Sequence, residues 1–109
     1  MINYIDVMEK LLEMRRLLAK GWIQGSYATT ADGFAIAPIN ANACHFCLEG
    51  ARHRVEPHDR NSMTPTRRIV EEVIGNKGLV LWNDQPKRTK EEVLAAMDQA
   101  VAHCKRLIK

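Results

Sequence analysis

Several things are missing from this 109-residue chain, and each absence closes off a class of function. No apolar run reaches the length needed to cross a bilayer, and no leader-like segment is visible, so a cytoplasmic protein without a membrane partner is expected. There is no glycine-rich phosphate loop, no metalloprotease helix motif and no nucleophile-elbow sequence, so an enzyme built on any of these has no support. Cysteine is scarce, at three residues. An odd number placed within helical patterns argues against a disulfide framework and suits a reducing compartment. No internal repeat or low-complexity tract is present. The length suits one domain, 1–109, with a single core.

What charge imbalance exists is local. The net charge is +3. Residues 52–68 hold Arg52, Arg54, Arg60, Arg67 and Arg68 against only Glu56 and Asp59, while the remaining charges cancel at eleven of each sign. Such a stretch reads either as a basic surface for phosphate or an acidic protein face, or as a solvated connector.

The hydrophobic pattern predicts a mainly α protein: a compact bundle of about four helices (4–20, 42–55, 65–75 and 90–108) with a short β-hairpin over 26–37. In the first helix Tyr4, Ile5, Met8, Leu11, Leu12, Met14, Leu18 and Ala19 share a broad arc, and Gly21 ends it. Arg15 breaks that arc. It either snorkels to water or needs a carboxylate, for which Asp84 is the candidate. Asp32-Gly33 between two extended runs signals the hairpin. In the second helix Gly50 sits among small residues, a costly choice that implies close approach by a neighbour such as another helix or Trp82. Thr64-Pro65 opens the third helix, with Ile69, Val70, Val73 and Ile74 on its buried side. Leu79–Leu81 reads as strand-like, leading to a turn at Trp82-Asn83-Asp84. Thr89 and Glu92 then form a capping box, and Val93, Leu94, Ala96, Met97, Ala100, Val101, Cys104, Leu107 and Ile108 line one face of the last helix. Each large member of that face is worth roughly 1.5–3 kcal/mol when fully buried.

Three constellations bear on chemistry. Cys44, Cys47, His53 and His58 have too short a Cys-to-His gap for a zinc finger, and a helix would point them apart, so no metal is expected. Cys47 or Cys104 with His45 or His103 makes a poor nucleophile pair, because a thiol centred on an apolar face stays protonated. No catalytic residue is assigned and no cofactor is expected. The third is a polar cluster of Trp82, Asn83, Asp84 and Arg88, joined by Trp22 and Gln24. It reads either as a self-satisfied corner or as a site where an anion meets a helix N-terminus and a ring stacks on tryptophan. The corner is the preferred reading, because the capping box already uses the donors an anion would need.

Gly21-Trp22-x-Gln24-Gly25, Asp32-Gly33, Cys47-Leu48-x-Gly50-Ala51 and Trp82-Asn83-Asp84-x-Pro86-x-Arg88-Thr89-x-x-Glu92-Val93 arrive in an order that resembles domain of unknown function family 6197. The last block is the most specific. The resemblance implies a bacterial or phage source and a shared fold, and brings no activity, cofactor or catalytic residue. The arginine-rich middle and Cys44 depart from the family pattern.

The expected function is a small accessory module that binds a macromolecule, anti-defence activity being one form of it. Its partner would be a host protein or a second copy of the chain, and nucleic acid has less support from so modest a charge excess. The alternatives are a nucleotide-like ligand held beside Trp82 and Arg88 and, last, a hydrolase with Asp84 as base, which lacks a paired carboxylate.

Overall fold

Side-chain caps set most of the element boundaries. The computed structural model describes residues 1–109. Helix α1 (Tyr4–Lys20) starts where Asn3 Oδ1 accepts the N–H groups of Ile5 and Asp6, each at 3.1 Å. Helix α2 (Leu48–Val55) is capped by Cys47, whose Sγ accepts Gly50 N–H at 3.3 Å. Helix α3 (Pro65–Val73) follows Thr64, with proline in its first turn. A single-turn helix, α4 (Leu79–Asn83), has no side-chain cap. The capping box of Thr89 and Glu92 opens α5 (Lys90–Leu107), as the sequence predicts. Between α1 and α2 lies a two-stranded antiparallel ribbon, β1 (Ala28–Thr29) with β2 (His45–Phe46). The fold is mainly α with a short hairpin. No helix is long and apolar enough to cross a membrane.

The core forms chiefly where α1 meets α5, with α3 against both. Val7, Leu11, Met14 and Leu18 of α1 meet Val93, Met97, Ala100 and Cys104 of α5, and Ile69 and Val70 close one side. The α1 stripe lies to one side of the predicted arc: Ile5 and Leu12 are exposed and Val7 is buried. The reason is angular. The positions 7, 11, 14 and 18 stay close to one line along a 3.6-residue helix, whereas 5 and 12 fall roughly 100° or more from Leu11.

Three local expectations are corrected. The second helix begins at Leu48, not at 42, because residues 44–46 are claimed by neighbours on two sides. Cys44 N–H donates to Thr29 O at 2.9 Å and Phe46 N–H to Gly21 O at 2.7 Å, while Phe46 O accepts Ile23 N–H at 3.1 Å. Ladder bonding to both flanks outweighs a helix nucleus that would satisfy only one. The stretch 79–81 is helical, not strand-like. Positive φ at Gly75 and Asn76 ends α3 abruptly, and Trp82 N–H returns to Gly78 O at 3.0 Å to make one tight turn. Arg15 pairs with Asp98 (Nε to Oδ1, 2.5 Å) and not with Asp84, since α5 rather than the α4 corner packs beside that part of α1.

The Asp32-Gly33 turn forms, with Gly33 at φ 89°. Its returning arm, however, touches β1 only at the Thr29–Ala35 bridge, and the longer pairing is to His45–Phe46. β1 is therefore flanked on both sides, and the arm after the turn forms the outer edge.

Candidate functional site

The sequence-predicted corner converges on one buried side chain. Asn83 Oδ1 accepts the Trp22 indole N–H at 2.7 Å and the Leu48 backbone N–H at 3.0 Å. Its amide donates to Ile23 O at 3.1 Å and to Asp84 Oδ1 at 2.9 Å. Asn83 thus ties α4 to the start of α2 and to the segment after α1. Gln24 donates to the carbonyls of Asn83 and Gln85, both at 2.9 Å, and Asp84 Oδ1 also accepts Gly25 N–H at 3.2 Å. Arg88 donates to Trp82 O at 2.9 Å and to Glu92 Oε2 at 3.3 Å, and its guanidinium lies 3.8 Å from the centre of the Trp82 ring. That cation covers one face of the indole. The Thr89 N–H bond holds the Glu92 carboxyl below its usual range. Asn83 and Asp84 bond to each other and to neighbouring backbone, while Arg88 is engaged by Trp82 and Glu92.

The five arginines divide into scaffold and surface. Arg52 is fully buried, which corrects its assignment to a basic surface. Its guanidinium donates to Glu49 Oε1 at 2.5 Å, Glu56 Oε1 at 3.2 Å, Asp59 O at 3.1 Å and Arg60 O at 2.6 Å. Glu56 also accepts the Thr64 hydroxyl at 2.6 Å and Lys10 Nζ at 3.4 Å. A buried guanidinium is tolerable only with such complete pairing, and here it pins the loop after α2 against the helix. Arg54 donates to Pro38 O at 2.8 Å and Asn40 O at 2.7 Å, which holds the outer hairpin arm against the same helix. Arg67 is half-buried, 3.9 Å from Glu71. Only Arg60 and Arg68 are exposed, and Arg60 has no ion-pair partner.

Between the arm that Arg54 holds and the loop that Arg52 holds lies a groove of about 620 Å³. Its floor is Ala28, its outer wall runs from Ala35 to Ile39, and its far side is His53, Pro57 and Arg60. Tyr27 stacks on His53 with ring centres 5.7 Å apart. Burial lowers the His53 pKa, which favours its neutral form. Large apolar side chains stand open here: Ile39 is 63% exposed, Tyr27 49%, and Phe34 at the nearby turn 70%. Ala35 and Ala37 are exposed, and neither the N–H and C=O of Ala35 nor the N–H of Ala37 bonds within the chain. Thr30 N–H reaches Phe34 O and Ile36 N–H reaches Ala28 O, so the intervening residue turns its polar backbone outward. A hollow of about 720 Å³ between the chain ends, lined by Met1, Ile2, Ile5, Leu107 and Ile108, is apolar but has no comparable strand edge.

The groove could not have been found from the arginine pattern. An arginine among charged neighbours reads as solvated, and only the return of residues 56–60 over α2 supplies the carbonyls that bury Arg52. The usable signal was Phe34 and Ile36 beside an Asp-Gly turn, apolar side chains on what had to be an edge. The small-residue site at Gly50 is accounted for by backbone: a Cβ there would lie 1.8 Å from Tyr27 O, so the residue just before β1, not Trp82, approaches it.

The cysteines are separate from the groove chemistry. Cys44 is exposed and outside any helix, with Sγ 3.7 Å from His45 Nδ1, while Cys47 and Cys104 are buried. Burial pushes the Cys47 thiol up to about 11. No three His, Cys, Asp or Glu side chains come together as a metal-binding group.

No curated protein and no solved structure matches the chain. The model of a family of unknown function matches residues 4–103.

Proposed function

We propose, for a chain that belongs to the family of unknown function DUF6197, the family its Trp82-Asn83-Asp84 block resembles, a role as a small protein-binding accessory module. The observation that carries the reading is the groove beside the outer hairpin arm. Exposed Tyr27, Phe34 and Ile39 flank it, and backbone donors and an acceptor at Ala35 and Ala37 stand free. Apolar side chains of this size beside an open strand edge mark interaction surfaces. The two buried or tethered arginines make the surface rigid, so little ordering entropy is lost when a partner docks. The bacterial or phage source that the family resemblance implies, with the cytoplasmic setting expected from the sequence, makes the partner a protein of that cell. Interference with a defence component is the form this takes if the gene is phage-borne.

The test is comparative capture. Wild type, Ile39→Asp and Arg68→Ala are immobilised and exposed to bacterial lysate. A protein retained by wild type and by Arg68→Ala, and lost with Ile39→Asp, supports the reading. Equal retention by all three proteins, or none by any, sinks it.

A further inference from the structure

We infer that the groove's occupant is an extended, acidic segment of a partner protein, which adds as a strand to the 34–37 edge and sets a carboxylate against Arg60. This rests on the protein-binding reading above and goes further in naming what binds.

Two observations converge. The first is the edge itself. Ala35 offers an N–H and a C=O outward, and Ala37 offers a second N–H two residues on, which is the spacing of a strand's bonding side. Sheet edges are ordinarily blunted by charge, proline or cover. Residues 34–37 read Phe-Ala-Ile-Ala, carry no charge and stay exposed except for half-buried Ile36, and proline appears only at position 38. An added strand is the partner geometry that satisfies these groups in register. The second observation is charge. Arg60 lines the groove without an ion pair, and no carboxylate lines it. A guanidinium beside an apolar wall favours a carboxylate in a charge-assisted bond. One free cation amid apolar lining is a poor match for a nucleic acid, whose binding draws on several phosphate contacts at once.

The experiment uses the full chain and a yeast-displayed library of random short peptides. Enriched peptides should alternate apolar residues with Asp or Glu. On the isotopically labelled protein they should shift the amide signals of Ala35, Ala37 and Arg60. Arg60→Glu should weaken the winning peptide at least about tenfold, equivalent to about 1.4 kcal/mol, and turn selection toward Lys and Arg. Ala35→Pro removes an N–H that has no internal partner, so it should abolish binding while circular dichroism is unchanged. Winners without acidic residues, indifference to Arg60→Glu, or shifts elsewhere overturn the inference. So does a failure to enrich any peptide. If lysate capture still depends on Ile39 in that case, the protein-binding reading survives without this occupant; if it does not, both fall. A concentration-dependent dimer broken by Ala35→Pro assigns the edge to a second copy and likewise overturns the inference.

Discussion

Arg52 satisfies two carboxylates and two backbone carbonyls at once, and no other side chain can reproduce that fork. Replacing it with methionine leaves Glu49 without its cation and Glu56 with Lys10 alone, and breaking a buried pair in this way costs about 3–5 kcal/mol. Urea unfolding of Arg52→Met should register a loss of that size, and Arg52→Lys should recover only part of it. A loss below about 1 kcal/mol, typical of an exposed pair, would mean the network is solvated. Gly50 is a second point where one atom decides. Gly50→Ala gains up to about 1 kcal/mol in helix propensity but drives a methyl into the Tyr27 carbonyl. Overpacking costs typically about 1–3 kcal/mol and more against rigid backbone, so the variant should be less stable than wild type despite the better helix former. Cys47 gives a pH signature. Its folded-state pKa is raised from about 9 to about 11 by burial, so above pH 9 the unfolded chain releases a proton that the folded chain keeps. Its contribution is intact below pH 9 and declines as pH rises toward 11. Unfolding free energy measured across that window should fall less steeply for Cys47→Ala than for wild type. An unchanged slope would show that the thiol is hydrated in the folded protein.

Elements separate what could be read along the chain from what could not. Helices α1, α3 and α5 follow from caps and a 3.6-residue period, because each makes its decisive contacts within its own first turn and one apolar face. The stretches 42–47 and 79–83 could not be assigned this way. The first depends on bonds to Thr29 and Gly21 that local pattern does not encode, and the second is a single turn, too short for a helical period to show. The residues of the cluster around Trp82 and the capping box of Thr89 and Glu92 beside it were legible, but the bonds of Asn83 to Trp22 and Leu48 were not. Nor was the groove, because its walls come from segments some 15 to 25 residues apart, joined through arginine-to-carbonyl bonds. Asn83 is the joint between these two kinds of element. Removing its amide orphans the Trp22 indole N–H, the Leu48 N–H and the Ile23 carbonyl. The Leu48 N–H is buried and the other two groups are half-buried; a buried unsatisfied group costs about 1–3 kcal/mol, so Asn83→Ala should lose at least about 1 kcal/mol and alter the near-ultraviolet dichroism of Trp22. A loss confined to the melting temperature, with the tryptophan spectrum intact, would place the indole's partner elsewhere.

Across the whole molecule, the core and the proposed binding surface are held by different forces. The α1, α3 and α5 core rests on apolar burial, so Leu11→Ala, at a fully buried position, should cost about 2–5 kcal/mol and lower protection everywhere at once. The outer arm rests on Arg54 and a single bridge to β1. Arg54→Ala frees two carbonyls at the protein surface that water can take over, so its global cost should stay near about 1 kcal/mol. Locally the effect should be larger. Native-state hydrogen exchange reports such partial openings, and the amides of Ile36 and Asn40, which bond to Ala28 O and Ala37 O, should exchange faster while those of α1 and α5 hardly change. The same variant should bind a groove partner more weakly, because the edge it presents must be ordered before a strand can add to it. Uniform acceleration across the chain would mean that arm and core open together, and the groove could then be altered only at the expense of the fold.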